Sequence, residues 1–391
     1  MNVYSRFWNW LKSHRSGQVF PVPFDHAVKL SLRRLESRQV LSVSAVLVGL
    51  DVTFTGDDGG ASADSLVFTI DNTGHLAHNQ GGINGFNSNI DLDNHLAGDQ
   101  TLAVSQITGL HVLLGSDADA VDFAADFNFS SGSLQVEAES ITAAGHSLSV
   151  HGLTTLDAGS AGDISLVGAN NFQSISIVSA HNVTLNDTTG ITFSGATHVS
   201  GDLEVTALGA VSNDASAHVV VDGVANLTGT SIDLGNSLGD HMEFGSLSFH
   251  SAGTVNISED SSLAISSAST AGSLTLVSVD DIDFNATVHV DGNTSVIAGT
   301  TTGGIGVHAK LTSTGSILLD AADEIVIDAS IDPTTVTLQA DDDITISASV
   351  AADNLISISA GQDGSGSVIL AGTGSLTADN VGNTADIIIQ T

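Results

Sequence analysis

Residues 336–350 read VTLQADDDITISASV. Val336 and Leu338 alternate with polar neighbours, an acidic run follows, and Ile344 and Ile346 resume the alternation. A period of two marks a half-buried strand, and a cluster of Asp between two such runs marks a turn. The pattern recurs in ILLDAADEIVIDASI (317–331) and LTLVSVDDIDFNATV (274–288), aliphatics falling on aliphatics and acids on acids. VIAGTTTGGIGVHAKL, from 296, and ISISAGQDGSGSVIL, from 356, fit between and after them, giving successive offsets of 22, 21, 19 and 20 residues. A degenerate repeat near 20 residues is the signature of a solenoid. Two short strands with their turns in each repeat would make one rung of a right-handed parallel β-helix, an all-β fold. Stacking at ~4.8 Å gives roughly 17 rungs and a rod on the order of 80 Å for residues 51–391.

Working outward, the same short alternating runs reach back to about residue 130, as in SLQVEA, DISLVG, NVTLND and DLEVTA. Three regions follow: a leader and address at 1–50, an irregular β-rich portion or cap at 51–129, and the repeat body at 130–391. Within the middle region, GGINGFNSNIDLDNHLAGDQTL (81–102) is rich in turn residues and suits the cap that an open solenoid edge needs. At the other end, NTADIIIQT stops in an apolar strand with no polar cap. That ending implies either a chain shortened relative to its relatives or a last strand that pairs with another copy. Paired β-sandwiches also have short strands at regular intervals, but they lack a phased repeat and fill their cores with large aromatics.

Charge is divided sharply along the chain. Arg6, Lys12, Arg15, Lys29, Arg33, Arg34 and Arg38 supply seven of the eight basic residues. Beyond residue 38 the only base is Lys310, set against 42 acids, a net charge of −41. Such a body repels nucleic-acid phosphates and anionic membranes. With 41% hydrophobic residues it has the apolar material for a core, which argues against disorder. There is no Cys, hence no disulfide. The apolar run VLSVSAVLVGL (40–50) is too short to span a bilayer, which takes ~20 residues, and no integral membrane span is expected.

The leader carries the aromatic and basic segment YSRFWNWLKSHRS (4–16), and then SLRRLESRQVLSVSAV (31–46), a basic flank running into small and apolar residues, the outline of an export signal. Leu35-Glu36-Ser37-Arg38-Gln39-Val40-Leu41-Ser42 resembles the LEPR-XLL motif of long, repetitive surface proteins of planctomycetes and some other bacteria. Ser37 stands where the motif has Pro, and Val40 where it has the first Leu of its closing pair. The resemblance implies a sorting element in which Leu35, Glu36, Arg38 and Leu41 are the matching residues. In period and composition the body resembles the filamentous-haemagglutinin type of β-helix, which implies an adhesin-like architecture.

Candidate chemistry is mostly acidic. The aligned repeats place Asp323-Glu324 and Asp342-Asp343 at equivalent positions, with Asp363 one rung on. In register, Glu324, Asp343 and Asp363 would form a corner ladder with neighbours ~5 Å apart. Ca²⁺ is the cofactor such a ladder would take, since it accepts several carboxylate oxygens in flexible geometry; the competing reading is a solvated turn. GSDADAVDF (115–123) gathers Asp117, Asp119 and Asp122 in a second acidic turn, read as solvated surface. His75 and His78 lie in a turn-rich context with no third ligand, so no zinc site is expected.

A polysaccharide lyase or hydrolase is the alternative reading, since many β-helices cleave acidic glycans. A lyase generally needs a base to neutralise a uronate, and Lys310 is the single one in the body. A cleft with a carboxylate pair and a basic partner would favour that enzyme; an evenly clad rod would not. The expectation is a non-catalytic, exported cell-surface or extracellular protein. It would bind surface glycans or other cell-surface proteins along an extended face and self-associate through its open C-terminal rung.

Overall fold

The computed structural model describes residues 43–57, 63–115, 117–299, 301–379 and 386–391. The chain divides into two units, 1–39 and 40–391. Leu35, Glu36, Arg38 and Leu41, with the basic leader, lie outside the described residues. The second unit is all-β, a parallel β-solenoid of about twelve turns with about 21 residues each. Among the described residues helix is confined to the short 3-10 segment Val104–Gln106, and no helix is long and apolar enough to cross a membrane.

Each turn supplies three strands, not the two expected. One turn comprises Ser273–Ser278, Ile282–Phe284 and Val288–Val290; the next comprises Thr294–Ala298, Ile305–Val307 and Leu311–Ser313. The third strand is only three residues long and begins within a few residues of the end of the second. Register partners run Val255, Leu274, Thr294, Ile317, Val336 and Ile356 along the first strands. Leu263, Ile282, Ile305, Ile325, Ile344 and Val368 stack along the second. Apart from Thr294, the inward residues are aliphatic, and most are wholly shielded from solvent. Each packs on its equivalents one rung above and below, so every turn depends on its neighbours for its core. Fully burying one such side chain stabilises by ~1.5–3 kcal/mol.

The sequence alignment placed Val296 opposite Leu274, but the backbone sets Thr294 there and Val296 opposite Leu276. Thr294 is 2% exposed and faces inward. A hydrophobic pattern passes over such a residue, and the resulting error of two residues leaves the faces unchanged.

Where the pairing with the next turn is interrupted, a backbone N–H without a ladder carbonyl is taken by an inward polar side chain of that turn. Leu148 donates to Asn170 Oδ1 (2.8 Å), Phe172 to Asp187 Oδ2 (2.7 Å), Phe244 to Glu259 Oε1 (2.9 Å) and Phe249 to Ser269 Oγ (3.2 Å). All four acceptors are buried. A buried N–H left unpaired would cost ~1–3 kcal/mol, which these side chains offset.

The solenoid begins well before residue 130. Asp51–Gly56 pairs in parallel with Gly109–Leu113, and Ser65–Ile70 with Ala120–Phe123. These first turns are filled by phenylalanine: Phe54 meets Phe68 edge-on at 5.1 Å, and Phe68 stacks on Phe123 at 5.5 Å. The irregular part is the insertion between them, residues 71–107. It accounts, with the longer loops, for there being about twelve turns where simple division by 20 gave roughly 17.

The apolar run 40–50, expected to belong to the address, instead provides the first strand of the fold. Val43–Val48 pairs antiparallel with Asp51–Gly56 and buries Val43 and Ala45. Gly49, at φ 66°, supplies the backbone conformation of the two-residue hairpin. The alternation in VSAVLV is a strand pattern, and it decides the matter over bulk hydropathy. Along the free edge of this strand, Asn94 Oδ1 accepts the Ala45 N–H (3.1 Å) and Asp93 Oδ2 the Leu47 N–H (3.4 Å). The insertion thus covers a sheet edge that would otherwise recruit another strand. At the opposite end Asp386–Gln390 pairs with Leu355–Ser359, stacking Ile387 on Ile356 and Ile389 on Ile358, and remains exposed.

Candidate functional site

The acidic repeats meet on one corner of the solenoid, just before the second strand of each turn. Carbonyls of Asp281, Gly304, Glu324, Asp343 and Ser367 accept the N–H groups of successive isoleucines and leucines one turn away, which fixes these five residues in a single column. Glu324 and Asp343 are therefore neighbours, as expected, but Asp363 does not join them. The loop at 361–366 adds residues to that turn, so Ser367 takes the place assigned to Asp363 and donates its N–H to Asp343 Oδ1 (2.7 Å). Asp363 instead accepts the Ser365 N–H (3.1 Å).

One step earlier, Asp323 and Asp342 are adjacent. A hydrogen bond to the Asp323 side chain, reinforced by slight desolvation and by the charges of Asp363, Asp323 and Asp343, raises the pKa of the exposed Asp342. Asp323, Glu324, Asp342, Asp343 and Ser367 line a shallow depression of about 320 Å³. Beside it lies a notch of about 280 Å³ lined by Asp281, Asp283, His308 and Glu324. The notch exists because Gly306 has no side chain: a Cβ there would stand 2.2 Å from Asp283 Oδ1 and 2.5 Å from His308 Nε2. His308 lies between two carboxylates, 3.5 Å from Asp283 and 3.2 Å from Asp328. Among the described residues, no three His, Cys, Asp or Glu side chains are arranged to hold a metal ion.

His75 and His78 part company. His75 Nδ1 lies against Asp71 (3.5 Å) and Thr73, whereas His78 is buried between Phe54 and Phe86 with Nε2 2.7 Å from the Asp91 carbonyl. Burial lowers the His78 pKa.

The second acidic turn is not the solvated surface that its composition implied. Asp122 accepts from Thr142 Oγ1 (2.8 Å). Asp119 turns inward and is 2% exposed. It stacks between Asp64 and Glu139: its Oδ1 accepts the Asp64 N–H (2.7 Å), and its own N–H donates to Glu139 Oε2 (2.9 Å). Burial raises the Asp119 pKa, the Asp64 N–H opposes that rise, and the charges of Glu139, Asp64 and Asp117 add to it.

Sequence reading missed a further arrangement because its residues are scattered at intervals of one turn. Thr206, Thr228, His250, Thr270, His289 and Thr312 are successive register partners on an outer face. His289 Nδ1 lies 2.9 Å from Thr312 Oγ1, and His250 Nδ1 lies 3.4 Å from Thr270 Oγ1. A shallow groove of about 540 Å³ runs beside this column, flanked by Leu208, whose side chain is 70% exposed.

Residues 109–179 and 180–241 each match a family model described as repeats of unknown function (DUF5649). Each matched segment spans about three turns, beginning at the strand Gly109–Leu113 and dividing after the strand Asp163–Ser179. No curated protein and no solved structure matches the chain.

Proposed function

We propose that this chain is an exported bacterial surface or extracellular protein that works by binding, without catalysis, through an outer face of its solenoid. The observation that carries the reading is the Thr/His column from Thr206 to Thr312, which repeats hydrogen-bonding groups at one-turn intervals across six turns. Strand spacing sets that interval at ~4.8 Å. A regular row of hydroxyls and imidazoles suits a ligand that is itself a polymer, and a surface glycan is the ligand class we assign. Individually weak contacts then sum through multivalency. The body charge of −41 favours neutral over acidic glycans. The LEPR-XLL-like octet at 35–42 supports export, and the exposed strand Asp386–Gln390 supports association between copies.

Co-sedimentation with particles of an insoluble neutral polysaccharide tests the binding face. The wild-type chain should pellet with the particles, and a triple variant carrying His250→Ala, Thr270→Ala and His289→Ala should lose most of that binding while keeping its β circular dichroism. Equal retention of wild type and variant, or of neither, defeats this assignment. Cell fractionation with N-terminal sequencing tests export; an uncut chain found only in the cytoplasm defeats that part.

A further inference from the structure

We propose that the ligand of the outer face is an extended, neutral β-1,4-linked glycan lying along the solenoid axis, an inference that rests on the glycan-binding reading above and narrows it. The Thr/His column has a companion. The strands Val183–Asp187 and Leu203–Ala207 and the end of His218–Thr228 each turn two polar residues outward. Thr184, Glu204 and Asn226 are register partners in one row; Asn186, Thr206 and Thr228 are register partners in the other. Strand geometry sets the rows ~7 Å apart and repeats each at ~4.8 Å. The result is a two-row grid over three successive turns. One turn on, the first row ends at Ser248, which is 2% exposed and donates to Asn226 Oδ1 (3.1 Å). From Ser269–Ala271 onward the strands on this face have three residues and one outward position, so the second row continues alone through Thr270, His289 and Thr312.

The polar groups of the grid are open to a ligand. Among the described residues, the side chains of Thr184, Glu204, Thr206 and Thr228 have no hydrogen-bond partner. Thr184, Glu204 and Asn226 line one shallow groove of about 540 Å³ at the strand beginnings, and Thr228 and His250 line another of about 540 Å³ at the strand ends. Two straight rows fit a ligand with two edges. A β-1,4-linked chain of hexoses is a flat ribbon that advances by about one rung per sugar and carries hydroxyls along both edges, so each edge meets one row. An α-1,4-linked chain coils and turns its hydroxyls away from such a face. Glu204 accepts hydrogen bonds from hydroxyls and repels carboxylates, which favours a neutral chain over a uronate. Paired contacts on successive turns also make affinity depend on ligand length.

Co-sedimentation of the full chain with microcrystalline cellulose and with granular starch, both neutral and insoluble, tests the assignment. Cellulose should retain roughly tenfold more protein than starch at equal particle surface, and cellohexaose should displace the chain from it at a concentration roughly tenfold below that of cellobiose. A double variant carrying Thr184→Ala and Glu204→Ala should lose most of the cellulose binding, whereas Thr337→Ala, on the outer side of a first strand, should bind as the wild type does. Equal retention on the two particles, or a preference for starch, overturns the β-1,4 linkage and leaves the glycan-binding face standing; retention on neither overturns both. Undiminished cellulose binding by the double variant overturns the two-row grid, and equal potency of the two oligosaccharides overturns alignment along the axis. Should the double variant lose its β circular dichroism, Glu204→Ala alone replaces it: weaker cellulose binding supports the grid, and unaltered binding overturns it.

Discussion

At the scale of single residues, the fold is completed by polar side chains that point the wrong way for their type. Glu259 is the extreme case. It is 1% exposed, uses Oε1 for the Phe244 N–H and the Ser261 hydroxyl, and leaves Oε2 buried without a partner. Burial raises its pKa from 4.5 to about 8; the two hydrogen bonds oppose this, and the nearby Glu243 and Asp260 add to it. His241 lies between those two acids, 3.5 Å from Glu243 and 3.1 Å from Asp260. A carboxyl whose folded pKa lies above its unfolded value contributes stability that is complete below pH ~4.5 and is lost as pH rises through ~8. Chemical denaturation at pH 6 and pH 9 should therefore show the wild type weakening by a few kcal/mol across that interval. Glu259→Gln keeps the shape and cannot ionise, so it should weaken much less. An equal loss in both proteins would remove Glu259 as the cause. No pattern of hydrophobicity reveals such a residue, because Glu259 sits in SEDSS, a sequence any solvated turn could carry. Asp119 reads as solvated surface for the same reason.

Among the elements, legibility followed strand length. The six-residue strands such as Ser316–Ala321 and Thr335–Ala340 complete three inward positions each and were readable with their register. Strands such as Val288–Val290 follow the second strand after only a few residues and were not told apart from it, and so the third side of the solenoid was unseen. The acidic column was right for Glu324 and Asp343 and wrong for Asp363, since extra loop residues at 361–366 shift everything after them. The insertion 71–107 had the composition of a cap, but its manner of capping lies in tertiary contacts: Asn94 and Asp93 supply acceptors to the first strand as a neighbouring strand would. Asn94 also donates Nδ2–H to the Asn84 carbonyl (2.7 Å), which ties the cap to itself. Asn94→Ala removes both bonds and leaves the Ala45 N–H buried, at a cost of ~1–3 kcal/mol. Hydrogen exchange should speed up at Ala45 and Leu47 by tenfold or more, while amides in Thr335–Ala340 stay as slow as before. Unaltered exchange at Ala45 would mean that the edge is protected by something other than this side chain.

For the molecule as a whole, the first and last described strands present different surfaces, and the contrast bears on assembly. The first strand is covered by the insertion, whereas the last described strand leaves its core positions open: Ile387 and Ile389 continue the buried columns of Ile356 and Ile358 yet are 45% and 46% exposed. An edge that offers both free backbone groups and an apolar face favours pairing with a like edge, and a pair of identical strands related by a two-fold axis would satisfy both at once. Opposing this is the body charge of −41 on each copy, which repels over roughly the Debye length. The balance therefore depends on ionic strength: repulsion fades as salt is added, and burial of isoleucine does not. Sedimentation velocity on the full chain should show little association at low salt and a growing, concentration-dependent dimer as NaCl is raised from about 0.02 to about 0.5 M. Ile389→Lys introduces an ammonium group at the open face, where burying it in a dimer is costly, and should hold the chain monomeric throughout that range. A wild-type dimer that weakens as salt rises would place the contact on charged surface elsewhere, and a dimer indifferent to Ile389→Lys would exclude this edge as the interface.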